Sequence, residues 1–153
     1  MQENLLKIGD IMEILVRPAQ EHDTEKILHY IREFFLDNEN ISYEQFLVAE
    51  IKNDFAGFGR IKQYDEVYEI ASIGVLEKYR KHGVGRKIVE GLISIATAEE
   101  LWITTRVPDF FAKIGFKEGD NCPDDVYLKC ERVCGASRQS LNNVYYMCYR
   151  KKA

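Results

Sequence analysis

A basic, glycine-punctuated turn, Arg80-Lys81-His82-Gly83-Val84-Gly85-Arg86-Lys87, joins an apolar strand to an amphipathic helix, and its residue types suit the holding of an anion. Glycine at 83 and 85 lets the backbone turn sharply and come close to a ligand, while the first amides of the following helix have no intrahelical acceptor. With the helix dipole behind them, such amides form a phosphate cradle. The turn is positive although the chain carries a formal net charge of -4. The plainer alternative is a solvated turn with ordinary lysines, and the flanking strand and helix weigh against it. Upstream in that strand, Glu69 is a carboxylate among apolar neighbours. Burial would lift its pKa toward neutrality and fit it to take a proton from a nucleophile. The competing role is a strand-end glutamate paired with a lysine or water, since Glu66 and Tyr68 make that end polar. Arg106 follows a second apolar strand, and its planar fork suits a substrate carboxylate, with Arg17 and Arg60 as further candidates. Each of the three could equally be a surface arginine.

Metal chemistry has little support. His22, His29 and His82 lack ligand spacing, and Cys122, Cys130, Cys134 and Cys148 contain no Cys-x-x-Cys pair. Cys130 and Cys134 are spaced for one helix face, so free, partly buried thiols are expected.

These side chains need a scaffold, and the hydrophobic pattern supplies one. Glu13 to Arg17 reads as a first strand, and Ile27, Leu28, Ile31, Phe34 and Phe35 as a helix that starts near Asp23. FLVAEI over 46–51, the turn Lys52-Asn53-Asp54 and FAGFGRIKQY predict a hairpin, part of whose second strand is left bare by two glycines. Val67 to Leu76 is apolar enough to be buried on both faces and is predicted to be the central strand. Val84, Ile88, Leu92 and Ile95 form one stripe of the helix beginning at Gly83. LWITT from 101, a short helix opened by Pro108 and closed by Gly115, a strand from Phe116, a helix over 126–134 and a closing strand from 143 complete the order. The result is an α/β (α+β) fold whose parallel part begins after residue 76.

A chain of 153 residues with 46% hydrophobic content suits one domain over 1–153, with residues 1–11 as a short helix, a frayed arm or an artefact of the start site. No apolar run nears the roughly 20 residues that span a bilayer, and the first residues lack a basic-then-apolar signal, so a cytoplasmic chain without a membrane partner is expected. A pI near 5.5 argues against a nucleic-acid binder.

The turn Arg80-Lys81-His82-Gly83-Val84-Gly85 resembles the acetyl-coenzyme A motif of the GNAT family of N-acetyltransferases: Arg or Gln, two residues, Gly, one residue, then Gly or Ala. The strand ending in Val75, the pair Tyr79-Arg80 and the downstream FFAKIGF extend the likeness over roughly residues 13 to 118. It implies a mixed, mostly antiparallel sheet with helices on both faces, and acetyl-CoA as co-substrate. Backbone amides from Arg80 to Gly85 would bind the pyrophosphate, aided by the side chains of Arg80, Lys81 and Arg86. Ile73, Gly74 and Val75 would pair with the pantetheine arm, the Val75 amide polarising the thioester carbonyl. Glu69 matches the position of the general base in several members. Where many members carry a tyrosine that reprotonates the thiolate, this chain has Phe111, expected to pack against the cofactor; Tyr127 and Cys122 are weak substitutes. YEIASIGVLEKYR and LWITTRVPDFFAKIGF are also similar to free-standing amino-acid N-acetyltransferases of the N-acetylglutamate synthase type. That likeness implies a small-molecule amine acceptor, the α-amino group of glutamate or a relative, with Arg106 as substrate ligand and residues 36–45 as its cover. An aminoglycoside, a polyamine, a protein N-terminus, or a non-catalytic acetyl-CoA sensor remain alternatives, and Val144 to Tyr149 offers a strand for a homodimer or an ordinary internal strand.

Overall fold

The computed structural model of the chain describes residues 13–136 and 143–151; the arm expected over 1–11 lies outside them. The elements are β1 (Ile14–Pro18), α1 (Thr24–Glu33), β2 (Phe46–Ile51), β3 (Asp54–Tyr64), β4 (Val67–Val75), α2 (Val84–Ile95), β5 (Glu100–Thr105), α3 (Pro108–Ile114), β6 (Lys117–Glu118), α4 (Asp124–Ala136) and β7 (Tyr145–Arg150). They build one 7-stranded sheet in the order β1-β2-β3-β4-β5-β7-β6. β1 to β4 are antiparallel, β1 and β2 joined through α1 and the next two pairs by short turns; at the β2–β3 hairpin, Lys52 and Asn53 both adopt left-handed φ, at 52° and 67°. The long return through α2 makes β4 and β5 parallel, with Glu69 opposite Trp102.

Helices cover both faces. On one, Ile88, Val89 and Leu92 of α2 pack on Leu47, Ala49 and Ile70 of the sheet, with Phe111 of α3 in the same cluster. On the other, Ile27 and Ile31 of α1 meet Phe46, Val48, Phe55 and Phe58, and α4 joins through Val126 against Trp102 and Cys148. No helix among the described residues is long and apolar enough to cross a membrane.

Two expectations change, and one alternative is decided. The glycines of β3 do not leave the strand bare: a Cβ at Gly59 would sit 2.9 Å from Ile88 Cγ2, so their absent side chains are the room into which α2 settles. The strand from Phe116 shortens to Lys117–Glu118, and the following helix lengthens to Asp124–Ala136. The closing strand is internal, paired with β5 on one side and β6 on the other.

Candidate active site

Beyond Val75 the chain turns outward. Leu76 N–H donates to Ala56 at 2.9 Å, a 3-10 turn runs over Glu77–Tyr79, and Tyr79 Oη donates to Asp54 at 2.9 Å, which pins the turn to β3. Lys81 has φ 70° and Gly83 φ 87°, the latter as the N-cap of α2. A Cβ on Gly83 would meet nothing within 4 Å, so glycine is needed there for its backbone angle. Arg80 Nε donates to the Val75 carbonyl at 2.8 Å and its guanidinium lies 5.0 Å from the Phe34 ring centre, tying the cradle to β4 and to the end of α1. Arg86 is exposed and pairs with Glu90 at 2.8 Å. Lys81 and His82 are exposed beside it.

The cradle opens into a cavity of about 800 Å³ between β4 and β5. Ile73, Gly74 and Val75 line one wall, Thr104, Thr105, Arg106 and Val107 the other, and Glu69, Asp37 and Lys129 also line it. A bulge shapes the first wall: the β3–β4 register slips between Phe58 and Arg60, and Ser72 takes a left-handed φ of 54°. Ser72 Oγ accepts from Arg60 Nε at 2.9 Å and donates to the Asp37 carbonyl at 2.8 Å, which holds the strained residue in place.

Glu69 is 0% exposed. Its Oε1 accepts from Tyr64 Oη at 2.9 Å, and its Oε2 ion-pairs with Lys129 Nζ of α4 at 2.6 Å. Burial raises its pKa, with Lys129 and the Tyr64 hydrogen bond opposing. Burial would lower that of Lys129, but the charge of Glu69 outweighs it and the ammonium is favoured. Asp37, beside them, accepts from Lys62 Nζ at 2.8 Å and lies 3.3 Å from Arg60; burial works to raise its pKa, but Lys62, the Glu39 amide and the charge of Lys129 hold the carboxyl below the usual range. The loop that carries Asp37 is tied to α4 by two hydrogen bonds from Arg132 to Glu39, both 2.9 Å.

The structure therefore gathers Glu69, Ile73, Gly74, Val75, Arg80, Lys81, Gly83, Val84, Gly85, Arg86, Arg106 and Phe111 around one cavity. His82 is not among its lining residues, and neither are Tyr127, whose hydroxyl donates to Glu131, and Cys122, whose thiol is pushed up to about 11 by burial. Arg106 is exposed and sits 3.7 Å from Cys134 Sγ. Two other arginines are committed elsewhere: Arg17 to Asp23 and Glu50, and Arg60, fully buried, to Ser72, Gln45 and Asp37. Phe111 packs edge-on to Phe116 at 5.4 Å, whereas Phe110 is 37% exposed and stands 3.4 Å from the Cβ position of Gly85. Sequence reasoning missed Phe110, Tyr64, Asp37 and Lys129; a lysine on the inward stripe of α4 was the available signal for the last. Among the described residues no group of His, Cys, Asp and Glu could hold a metal ion.

Known proteins share this architecture. The structure of N-acetylglutamate synthase from Neisseria gonorrhoeae complexed with coenzyme A and N-acetyl-glutamate superposes with TM-score 0.71 at 16% identity, over 92% of this chain and 36% of the Neisseria chain. This chain thus spans about a third of that enzyme's length. Rv2747 from Mycobacterium tuberculosis, solved in complex with CoA, gives TM-score 0.72 at 21% identity over 90% of this chain and 99% of its own. Both likenesses are of fold. In sequence, an uncharacterised N-acetyltransferase from Chlorobaculum tepidum is 31% identical over 116 residues, 72% of this chain and 67% of that one. The family profile reaches further into the site: residues 8–116 match it, a span that carries the bulged strand, the glycine cradle and Glu69, and the chain accordingly belongs to the acetyltransferase (GNAT) family of enzymes.

Proposed function

We propose that the protein transfers the acetyl group of acetyl-CoA to the primary amine of a small, carboxylate-bearing molecule, the α-amino group of glutamate or a related amino acid. The observation that carries this reading is a continuous cavity running from the glycine cradle to a buried carboxylate, Glu69. Pyrophosphate binds at the amides from Arg80 to Gly85, with Arg86 and Lys81 adding positive charge. Its pantetheine arm lies along Ile73, Gly74 and Val75, where β4 has parted from β5, and Phe110 closes over it beside Gly85. Glu69 accepts the proton of the attacking amine through water, the nitrogen bonds to the thioester carbon, and the C–S bond breaks to release the CoA thiolate. The Val75 amide supports the carbonyl oxygen as it becomes negative.

Charge separates the candidate acceptors. The cavity is lined by the cations Arg80, Lys81, Arg86, Arg106 and Lys129 and by only two carboxylates, Asp37 and Glu69, each already paired with cations. Three of the cations belong to the cradle. What remains at the acceptor end is not acidic, which disfavours polyamines and aminoglycosides, and Arg106 at the rim suits a carboxylate.

Thiol release from acetyl-CoA, followed with amino acids, a polyamine, an aminoglycoside and a peptide N-terminus as acceptors, tests the reading. Turnover is expected with a carboxylate-bearing amine, reduced about 100-fold or more in Glu69→Gln. Preference for a polycation, or full activity of Glu69→Gln, overturns the acceptor or the base respectively.

A further inference from the structure

Behind the cavity floor, the cations are not shared evenly. Asp37 has Lys62 at 2.8 Å and Arg60 at 3.3 Å. Lys129 stands 3.8 Å from Asp37 but 2.6 Å from Glu69, with Thr104 Oγ1 at 3.5 Å beyond it. Glu69 thus has one close cation, delivered by α4 from the far end of the chain. The other groups facing it are few. Tyr64, Lys62 and the more distant guanidinium of Arg60 come from β3, Asp37 from the loop after α1, where it shares Lys129, and the thiol of Cys122 from the approach to α4. Of these, Tyr64 donates one neutral hydrogen bond, Lys62 is held by Asp37, Arg60 is bonded to Ser72, Gln45 and the Asp37 carbonyl, and the Cys122 thiol is kept protonated by burial.

A fully buried carboxylate with no close cation binds its proton too tightly to accept another at neutral pH. Its usefulness as a base depends on the ammonium beside it. We propose that Lys129 is a positioning residue for acetyl transfer: it holds Glu69 as the carboxylate and thereby sets the pH above which the enzyme works. This rests on the reading of Glu69 as the base. A purely architectural ion pair would be replaceable by apolar groups of similar shape with no consequence for the pH profile.

Two variants and one direct readout test it. Lys129→Met keeps the stem and removes the charge, and Lys129→Arg keeps the charge. In Lys129→Met the acid limb of kcat/KM is expected to move up by about one pH unit or more, with activity largely recovered at high pH; Lys129→Arg should stay near the parent. Carbon-13 titration of the glutamate carboxyls, with the Glu69 resonance assigned by its loss in Glu69→Gln, should show that carboxyl moving with the limb. An unmoved limb in a folded Lys129→Met, or a loss equal at every pH, overturns the proposal. Should the methionine variant not fold, the parent decides: its Glu69 carboxyl is expected to be ionised wherever the enzyme is fully active, and a carboxyl still protonated at the pH of full activity overturns the proposal. Failure of the base reading is a different result. Glu69→Gln would then keep both its activity and its acid limb, while the carbon-13 titration would still report whether Lys129 governs the charge of Glu69.

Discussion

Gly83 and Lys81 both sit in left-handed backbone, at φ 87° and 70°, yet only one of them is a glycine. The cradle therefore already holds one side chain in a region that costs an ordinary residue about 1–2 kcal/mol. Since a Cβ at Gly83 meets open space, Gly83→Ala should lose about 1 kcal/mol through backbone strain alone, and Gly83→Asn less. Urea denaturation checks this, and equal losses for both variants would sink it. The cradle was readable in the sequence because its residues are contiguous, and Glu69 because a carboxylate interrupts an apolar strand. The pairing of Asp37 and Lys129 was not readable: their partners lie far away along the chain, and a lysine on the inward stripe of a helix signals burial without saying which carboxylate it will meet. Phe110 was missed beside Phe111 for a simpler reason. In a helix of 7 residues a rotation of one position decides which ring enters the core, and it is Phe111 that meets Phe116.

Among the elements, β4 does most to shape the site, because its bulge lets it part from β5 and leaves the cavity between them. Ser72 makes the bulge at φ 54° and contributes both hydrogen bonds of its hydroxyl, to Arg60 and to the Asp37 carbonyl. Ser72→Ala keeps the strain and strands a fully buried guanidinium nitrogen, so a loss of about 1–3 kcal/mol is expected. Ser72→Gly loses the same bonds but relieves the backbone, so its stability should fall between alanine and serine. Chemical denaturation of the three proteins gives the order, and a glycine variant less stable than alanine would contradict this account of the bulge. The order of elements along the chain, the hairpin and the helix stripes were legible from periodicity. The bulge was not, since IASIGV reads as an ordinary buried strand and only the pairing with β3 exposes the extra residue. For β3 the sequence led the wrong way: its glycines were read as thin cover, when the close approach of Ile88 is what requires them.

At the scale of the whole molecule, charge ties the loop after α1 to α4, through an exposed pair of Glu39 with Arg132 and a buried one of Asp37 with Lys129 at 3.8 Å. The mixed architecture was legible from the order of elements; that α4 would lie over the same face as α1 was not, because it depends on these long-range pairs. Their linkage to pH has opposing signs. Arg17 lowers the pKa of Asp23, and Arg132 that of Glu39; for Asp37 burial works upward, but Lys62 and its neighbours prevail and lower it. Stability from a depressed carboxylate is present above its unfolded value, about 4, and is lost as pH falls through the folded one. Glu69 is raised by burial, so its contribution is fully present below its unfolded value and is lost as pH rises through the folded one. As pH falls, Glu69 should add stability as it takes its proton, and the three depressed carboxylates should remove more below about pH 4. Thermal melts followed by circular dichroism between pH 3 and 8 should show that acid-side fall. Glu69→Gln should remove the gain that comes from its protonation, and Asp37→Asn should reduce the acid-side fall while lowering stability at pH 7. A parent protein whose melting temperature keeps rising below pH 4 would mean that the pairs joining the loop after α1 to its cations are not formed as described.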